Sequence, residues 1–165
     1  CQYPSRLSAL ILVSGTAGIE DGKERQKRQR WDLQMAERVQ KIGMDSFLAE
    51  WNQLSIIQSQ QRINPEHRQR MLAIRRLHSP LGVANSLRYF GTGTMPSCWQ
   101  MLPHISIPVL LVVGGEDQKY IDIAHRLNEK IPLVSLCVLP SAGHCVHLEE
   151  PQKSADVIQR WVKSF

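Results

Sequence analysis

Two short stretches in the last third of the sequence carry side chains that could move a proton. The first, Gly-Gly-Glu-Asp at 114–117, follows the apolar run 107–113. The second, Pro-Ser-Ala-Gly-His-Cys-Val-His-Leu-Glu-Glu-Pro at 140–151, follows the apolar run 134–139. Imidazole gains and loses a proton near neutral pH, which suits histidine to general-base work. A carboxylate that accepts its Nδ1–H fixes the tautomer and stabilises the imidazolium. His144 and Asp117 are the residues of those types. The plain alternatives are a structural histidine and an aspartate that only caps the helix expected from about Lys119. Glu116 competes with Asp117, but its longer side chain fits the tight turn less well. His147 lies three residues beyond His144, across a turn rather than on one helix face. No further clustered ligands accompany it, so no metal is expected there; a structural role is, with hydrogen bonding near Glu149.

Both turns must be held by elements around them. Each follows a run that reads as a strand and opens into a helical pattern, which puts both side chains at carboxyl ends of strands. In open parallel sheets ligands bind at that end. An acid after one strand and a histidine after the next form the back half of an α/β-hydrolase triad, in the order nucleophile, acid, histidine. The Gly-x-Ser-x-Gly elbow of the front half does not occur in the sequence.

The rest of the chain agrees with such a sheet. Ala9 to Val13 is a continuous apolar run ended by Gly15, as in a strand covered on both faces. Residues 16–103 then turn charged, helical and strand-poor. Asp21 with Glu24 resembles a capping box, and the helix it opens runs to about Ile42, with Gly43 as its stop. Asp45 starts a helix carrying Phe47, Leu48 and Trp51. Asn64-Pro65 is a cap followed by proline at the first helical position, opening a helix with Met71, Leu72 and Arg75. Another helix spans about 81–90. From Ile107 the order is strand 107–113, helix 119–130, strand 134–139, helix 150–163.

Three parallel strands with right-handed crossovers follow. The block 16–103 is far too long for a plain crossover, so it reads as a helical lid inserted into an α/β core formed by 1–15 and 104–165. The strand at 8–13 would leave an apolar edge uncovered. The chain opens at Cys1 in mid-pattern rather than at Met. More strands, and the nucleophile, are therefore expected upstream in the gene product or on another chain.

Composition bounds the partners. An apolar content of 42% and a charged content of 21% suit a globular domain. No apolar run approaches the roughly 20 residues of a membrane span, and no secretory signal heads the chain. The four cysteines, Cys1, Cys98, Cys137 and Cys145, form no Cys-x-x-Cys pair. Sparse thiols favour a reducing compartment, and Cys137 reads as a small buried apolar residue. The net charge is +5, concentrated in 23–30 and 62–76 rather than in a tail, and not interleaved with aromatics. An anionic small molecule is expected rather than nucleic acid. Arg25 and Arg28 share a helix face, while Arg75 and Arg76 come from another helix. Such arginines can clamp carboxylates bidentately; the alternative is a solvated face laced by Glu24 and Asp32. Trp51 reads either as lid core or as an indole N–H for a polar ligand.

The lid motifs point further. Ser-Gly-Thr-Ala-Gly-Ile-Glu-Asp-x-x-Glu-Arg-x-x-Arg-Gln-Arg-x-Asp at 14–32, Phe-Leu-Ala-Glu-Trp at 47–51 and Ser-Leu-Arg-Tyr-Phe-Gly-Thr-Gly-Thr-Met-Pro-Ser-Cys-Trp at 86–99 resemble the 2-succinyl-6-hydroxy-2,4-cyclohexadiene-1-carboxylate synthase family, over its C-terminal two-thirds or so. The resemblance implies an α/β-hydrolase fold and a cofactor-independent lyase of menaquinone and phylloquinone biosynthesis. That reaction eliminates pyruvate from a cyclohexene tricarboxylate. By motif position, Asp117 and His144 match the acid and histidine of the triad. Arg28, Trp51 and Arg75 match lid residues associated with substrate binding. A cytoplasmic setting is implied, with the plastid stroma as the alternative. The elbow, its following arginine and the upstream oxyanion segment are absent from this sequence.

Overall fold

The structure, a computed structural model, describes residues 6–164; Cys1 and the Tyr3-Pro4 turn lie outside them. Two compact units emerge. Of the described residues, the first comprises 6–17, 59–63 and 100–164; the second comprises 18–58 and 64–99.

The first unit is built on three parallel strands in the order β1 (Leu10–Val13), β2 (Val109–Gly114), β3 (Val134–Leu139). Leu10 pairs with Val109 and Val13 with Val112; Val109 pairs with Val134 and Gly114 with Leu139. Every residue of β2 is buried, because it is flanked on both sides and packed by α5 (Gln118–Lys130) and α7 (Pro151–Val162). β1 is only half-buried, where the sequence suggested a strand covered on both faces: among the described residues it has a neighbour on one side alone. Cys137 is half-buried for the same reason, since β3 is the other edge; it packs against Leu110, Val112, Leu139, Ala142 and Val146. Burying a side chain such as Leu110 contributes about 1.5–3 kcal/mol. A short helix, α6 (Val146–Glu149), precedes α7. The sequence did not suggest it, because four residues are too few to show a period.

The second unit is helical. It contains α1 (Gly22–Trp51), α2 (Ser55–Gln58), α3 (Pro65–Arg76) and α4 (Pro80–Phe90). The expected caps form: Asp21 accepts from the Glu24 N–H at 2.8 Å and Asn64 from Glu66 at 3.0 Å; Ser79, not anticipated as a cap, accepts from Gly82 at 3.0 Å. Gly43 interrupts α1 with φ 76° and ψ 172°, a conformation essentially confined to glycine. The two halves of α1 therefore meet at a kink rather than as one straight rod. α4 packs along α1 around Ala36, Val39, Phe47 and Ala84. The two alanines are fully buried, and their small size lets the helices approach closely.

Residues 59–63, placed within the lid block by the sequence reading, belong to the first unit although they run between α2 and α3. Ser59–Arg62 form a 3-10 turn that packs on α6.

Candidate functional site

Asp117 and His144 sit where β2 and β3 end. Asp117 Oδ2 lies 2.7 Å from His144 Nδ1. The aspartate side chain is 9% exposed and the imidazole 24%, so the acid is enclosed while the base keeps an open edge. The helix-cap bond and the imidazole contact of Asp117 coexist. Its Oδ1 accepts a long bond of 3.4 Å from the Tyr120 N–H at the start of α5, leaving Oδ2 for the imidazole. In the neutral imidazole, Nδ1–H donation to Oδ2 would leave the Nε2 lone pair open to accept a proton. The Tyr120 ring lies 4.5 Å from the imidazole, tilted by 56°, and restricts its rotation. Glu116 turns away to an ion pair with Arg62; that bond, with the charge of Glu149 adding to it, raises the Arg62 guanidinium above its ordinary range.

His147 is exposed. The expected hydrogen bond near Glu149 does not form in the way suggested, because the Glu149 carboxylate is engaged elsewhere. It accepts from the Gly143 N–H at 2.7 Å, the Cys145 N–H at 3.1 Å and the Ser59 hydroxyl at 3.0 Å. Gly143 is tightly enclosed: a Cβ there would run into the Ser59 side chain and come within 3.1 Å of Glu149 Oε2.

The helical unit holds the other three candidates. Trp51 and Arg75 line one cavity of about 510 Å³, together with Met44, Phe47, Val83 and Leu87. Its wall is mostly apolar, and Arg75 brings a cation to it. Trp51 packs against Phe47 and Trp31, at centroid distances of 5.5 and 5.9 Å. Arg28 does not line that cavity. Its Nε donates to Asp32 Oδ1 at 2.8 Å, and its guanidinium lies 4.9 Å from the Trp31 ring centroid. Asp32 is 1% exposed and also accepts from the Gly93 N–H at 3.3 Å. This buried acid fixes one edge of the guanidinium. Arg76, the companion of Arg75 in the sequence reading, pairs instead with Asp45 at 3.1 Å on the surface. Sequence reasoning missed Tyr120, named Glu149 only as a neighbour of His147, and took Asp32 for part of a solvated face rather than a buried anchor. Only the last had a signal, its spacing four residues after Arg28.

Among the described residues, no group of three or more His, Cys, Asp or Glu side chains could hold a metal ion. No helix there is long and apolar enough to cross a membrane.

No protein-family model matches the chain. It is 35% identical over 163 residues to the putative 2-succinyl-6-hydroxy-2,4-cyclohexadiene-1-carboxylate synthase of Bacillus subtilis, covering 99% of this chain and 60% of that protein. The solved structure of MenH from S. aureus superposes with a TM-score of 0.93 at 30% identity, covering 96% of this chain and 59% of that one. A thermophilic esterase from Thermogutta terrifontis superposes less closely, with a TM-score of 0.73 at 27% identity, covering 99% of this chain and 58% of that one. The chain thus spans about three-fifths of the length of the relatives it matches. Its parallel sheet and helices form part of an α/β-hydrolase fold, and its homologues include the synthases just named.

Proposed function

We propose that this relative of the 2-succinyl-6-hydroxy-2,4-cyclohexadiene-1-carboxylate synthases is the C-terminal part of a lyase that eliminates pyruvate from 2-succinyl-5-enolpyruvyl-6-hydroxy-3-cyclohexene-1-carboxylate, a step of quinone biosynthesis. The single observation that carries the chemistry is the 2.7 Å contact between Asp117 and His144. His144 Nε2 is the proton acceptor, acting through a hydroxyl supplied by the upstream part of the fold. Removal of a proton from the substrate shifts an electron pair into the ring system. The carbon–oxygen bond to the enolpyruvyl group breaks, and the leaving group departs as the enolate of pyruvate. Asp117 supports the imidazolium formed in that step. Arg28 and Arg75 bind substrate carboxylates, and Trp51 contributes an apolar wall with a polar edge. The lyase reading is favoured over an esterase because, although both likenesses run the length of the chain, the superposition on the synthase structure is closer, with a TM-score of 0.93 against 0.73. The proposed reaction needs no cofactor, and no nucleic acid or membrane enters it. Its setting is the cytoplasm, or the plastid stroma in a photosynthetic host.

The test compares residues 1–165 with a protein extended upstream to the length of its relatives. Pyruvate release from the tricarboxylate is expected from the extended protein alone. The shorter chain is expected to aggregate through the exposed side of β1, where Leu10–Val13 are half-buried. Rapid turnover by 1–165 by itself would refute the dependence on an upstream nucleophile. An extended protein that hydrolyses esters and releases no pyruvate would establish the hydrolase reading instead.

A further inference from the structure

The histidine turn is not held by its own backbone alone. Glu149 spans it from below: one oxygen accepts from the residue before His144, the other from the residue after it, at 2.7 Å for the Gly143 N–H and 3.1 Å for the Cys145 N–H. The oxygen bound to Cys145 also accepts from the Ser59 hydroxyl at 3.0 Å. The same short segment makes two further attachments. Gln60, only 3% exposed, donates to Cys145 Sγ at 3.0 Å, and Arg62 pairs with Glu116. Cys145 follows the histidine and Glu116 precedes the aspartate. Residues 59–62 are therefore tied to chain neighbours of both members of the pair.

We propose that Glu149 is a positioning residue for the His144–Asp117 pair, and that residues 59–62 complete the brace. The inference rests on the catalytic role proposed above for that pair. Two N–H groups converging on one carboxylate fix the peptides on either side of His144, and so the direction of its Cα–Cβ bond. The Asp117 contact then fixes the ring. A carboxylate suits this place because charge-assisted bonds are about twice as strong as neutral ones. An amide has one acceptor oxygen rather than two, so it cannot accept from both N–H groups in the same way. A Cβ added at Gly143 would run into the Ser59 side chain, so the turn closes directly against this segment.

The experiment uses the full-length protein and the variants Glu149→Ala, Glu149→Gln and Ser59→Ala. Glu149→Ala is expected to lower kcat for pyruvate release by roughly a hundred-fold, the order of loss produced by small misplacements of a reacting group. KM should stay within about twofold, because substrate binding is assigned to other residues. Glu149→Gln should recover part of the loss, and Ser59→Ala should show a smaller loss in the same direction. In an Asp117→Asn background, Glu149→Gln should cost much less, since the two act through one imidazole. Independently of turnover, the proton NMR resonance of the His144 Nδ1–H should broaden or vanish in Glu149→Ala while remaining sharp in the wild type. An unchanged imidazole resonance in a folded Glu149→Ala would overturn the brace. So would a Glu149→Gln loss of equal factor with and without Asp117. Should Glu149→Ala fail to fold, Glu149→Gln and Ser59→Ala give the same decision. A wild-type protein that releases no pyruvate would refute the lyase reading, and the imidazole resonance would still decide the brace.

Discussion

Asp117 Oδ2 lies 2.7 Å from His144 Nδ1 across 27 residues of sequence. The parallel pairing of β2 with β3 brings their carboxyl ends together, and the next turns carry the two side chains. Losing the carboxylate leaves the imidazole free to adopt the wrong tautomer. Asp117→Asn in the full-length protein is therefore expected to keep the fold and lower kcat by about 10⁴-fold, the loss measured for the equivalent change in a serine protease. His144→Ala should match it. His147→Ala, at an exposed position, should leave turnover within about twofold of wild type, a small effect typical of surface substitutions. Steady-state kinetics of the three variants checks this; a severe loss confined to His147→Ala would reverse the assignment.

Gly43 offers a test of fold rather than chemistry. Its backbone has φ 76° and ψ 172°, while an added Cβ would meet nothing within 4 Å. Gly43→Ala therefore costs only the conformational strain, of order 1–3 kcal/mol, with no clash. For a chain of this size each kcal/mol corresponds to roughly 2–4 °C in Tm. Thermal unfolding of Gly43→Ala should show a decrease of that order; an unchanged or raised Tm would mean that the kink is not required.

Much of this arrangement was legible in the sequence. Asn64-Pro65 announces a helix start because cap and first-turn chemistry is local. The apolar run behind Gly114 announces a buried strand because a central strand needs no alternation. Asp117 and His144 were legible because strand-end turns of a parallel sheet share one side. Glu149 was not, since its bonds to Gly143, Cys145 and Ser59 depend on how a turn folds back and on a segment far away in sequence. The placement of Ser59–Ile63 with the sheet rather than with the helical unit was hidden for the same reason. Arg28 and Arg75 looked alike as basic helix residues. Only packing separates the one tied to Asp32 from the one lining a cavity.

Glu150 gives the protein an acid-dependent stability contribution. The Ser141 hydroxyl at 2.6 Å, and then the Lys153 ammonium at 3.1 Å, hold its carboxyl below the usual carboxylate range. A carboxyl depressed in the folded state stabilises the fold fully above the unfolded-state value. That contribution is lost as pH falls through the lower folded-state value. The Tm difference between wild type and Glu150→Gln should therefore be present at neutral pH and shrink toward zero on acidification through the carboxylate range. It should be small, since exposed pairs contribute little. Thermal unfolding of both proteins across that range checks it; a difference independent of pH would refute the assignment.

The two arginines distinguish a lyase from an esterase. A substrate with several carboxylates needs more cationic donors than a neutral ester does. Arg28 is fixed along one edge by Asp32 and backed by Trp31, which leaves the rest of its guanidinium fork for a ligand. Arg75 brings its charge to a mostly apolar cavity wall beside Trp51; His78, Ser79 and Ser86 also line that cavity. Losing one charge-assisted bond costs about 1.5–3 kcal/mol, or roughly ten- to a hundred-fold in kcat/KM. Arg28→Ala and Arg75→Ala in the full-length protein should each lower kcat/KM for the tricarboxylate by about that factor. Lysine at either position should not restore it, because an ammonium lacks the planar fork. Any hydrolysis of a small neutral ester should be unaffected. Pyruvate should appear without an initial burst, because the proposed chemistry removes a proton and forms no acyl-enzyme. A burst with an ester, together with arginine variants that behave as wild type toward the tricarboxylate, would assign the protein to the hydrolases instead.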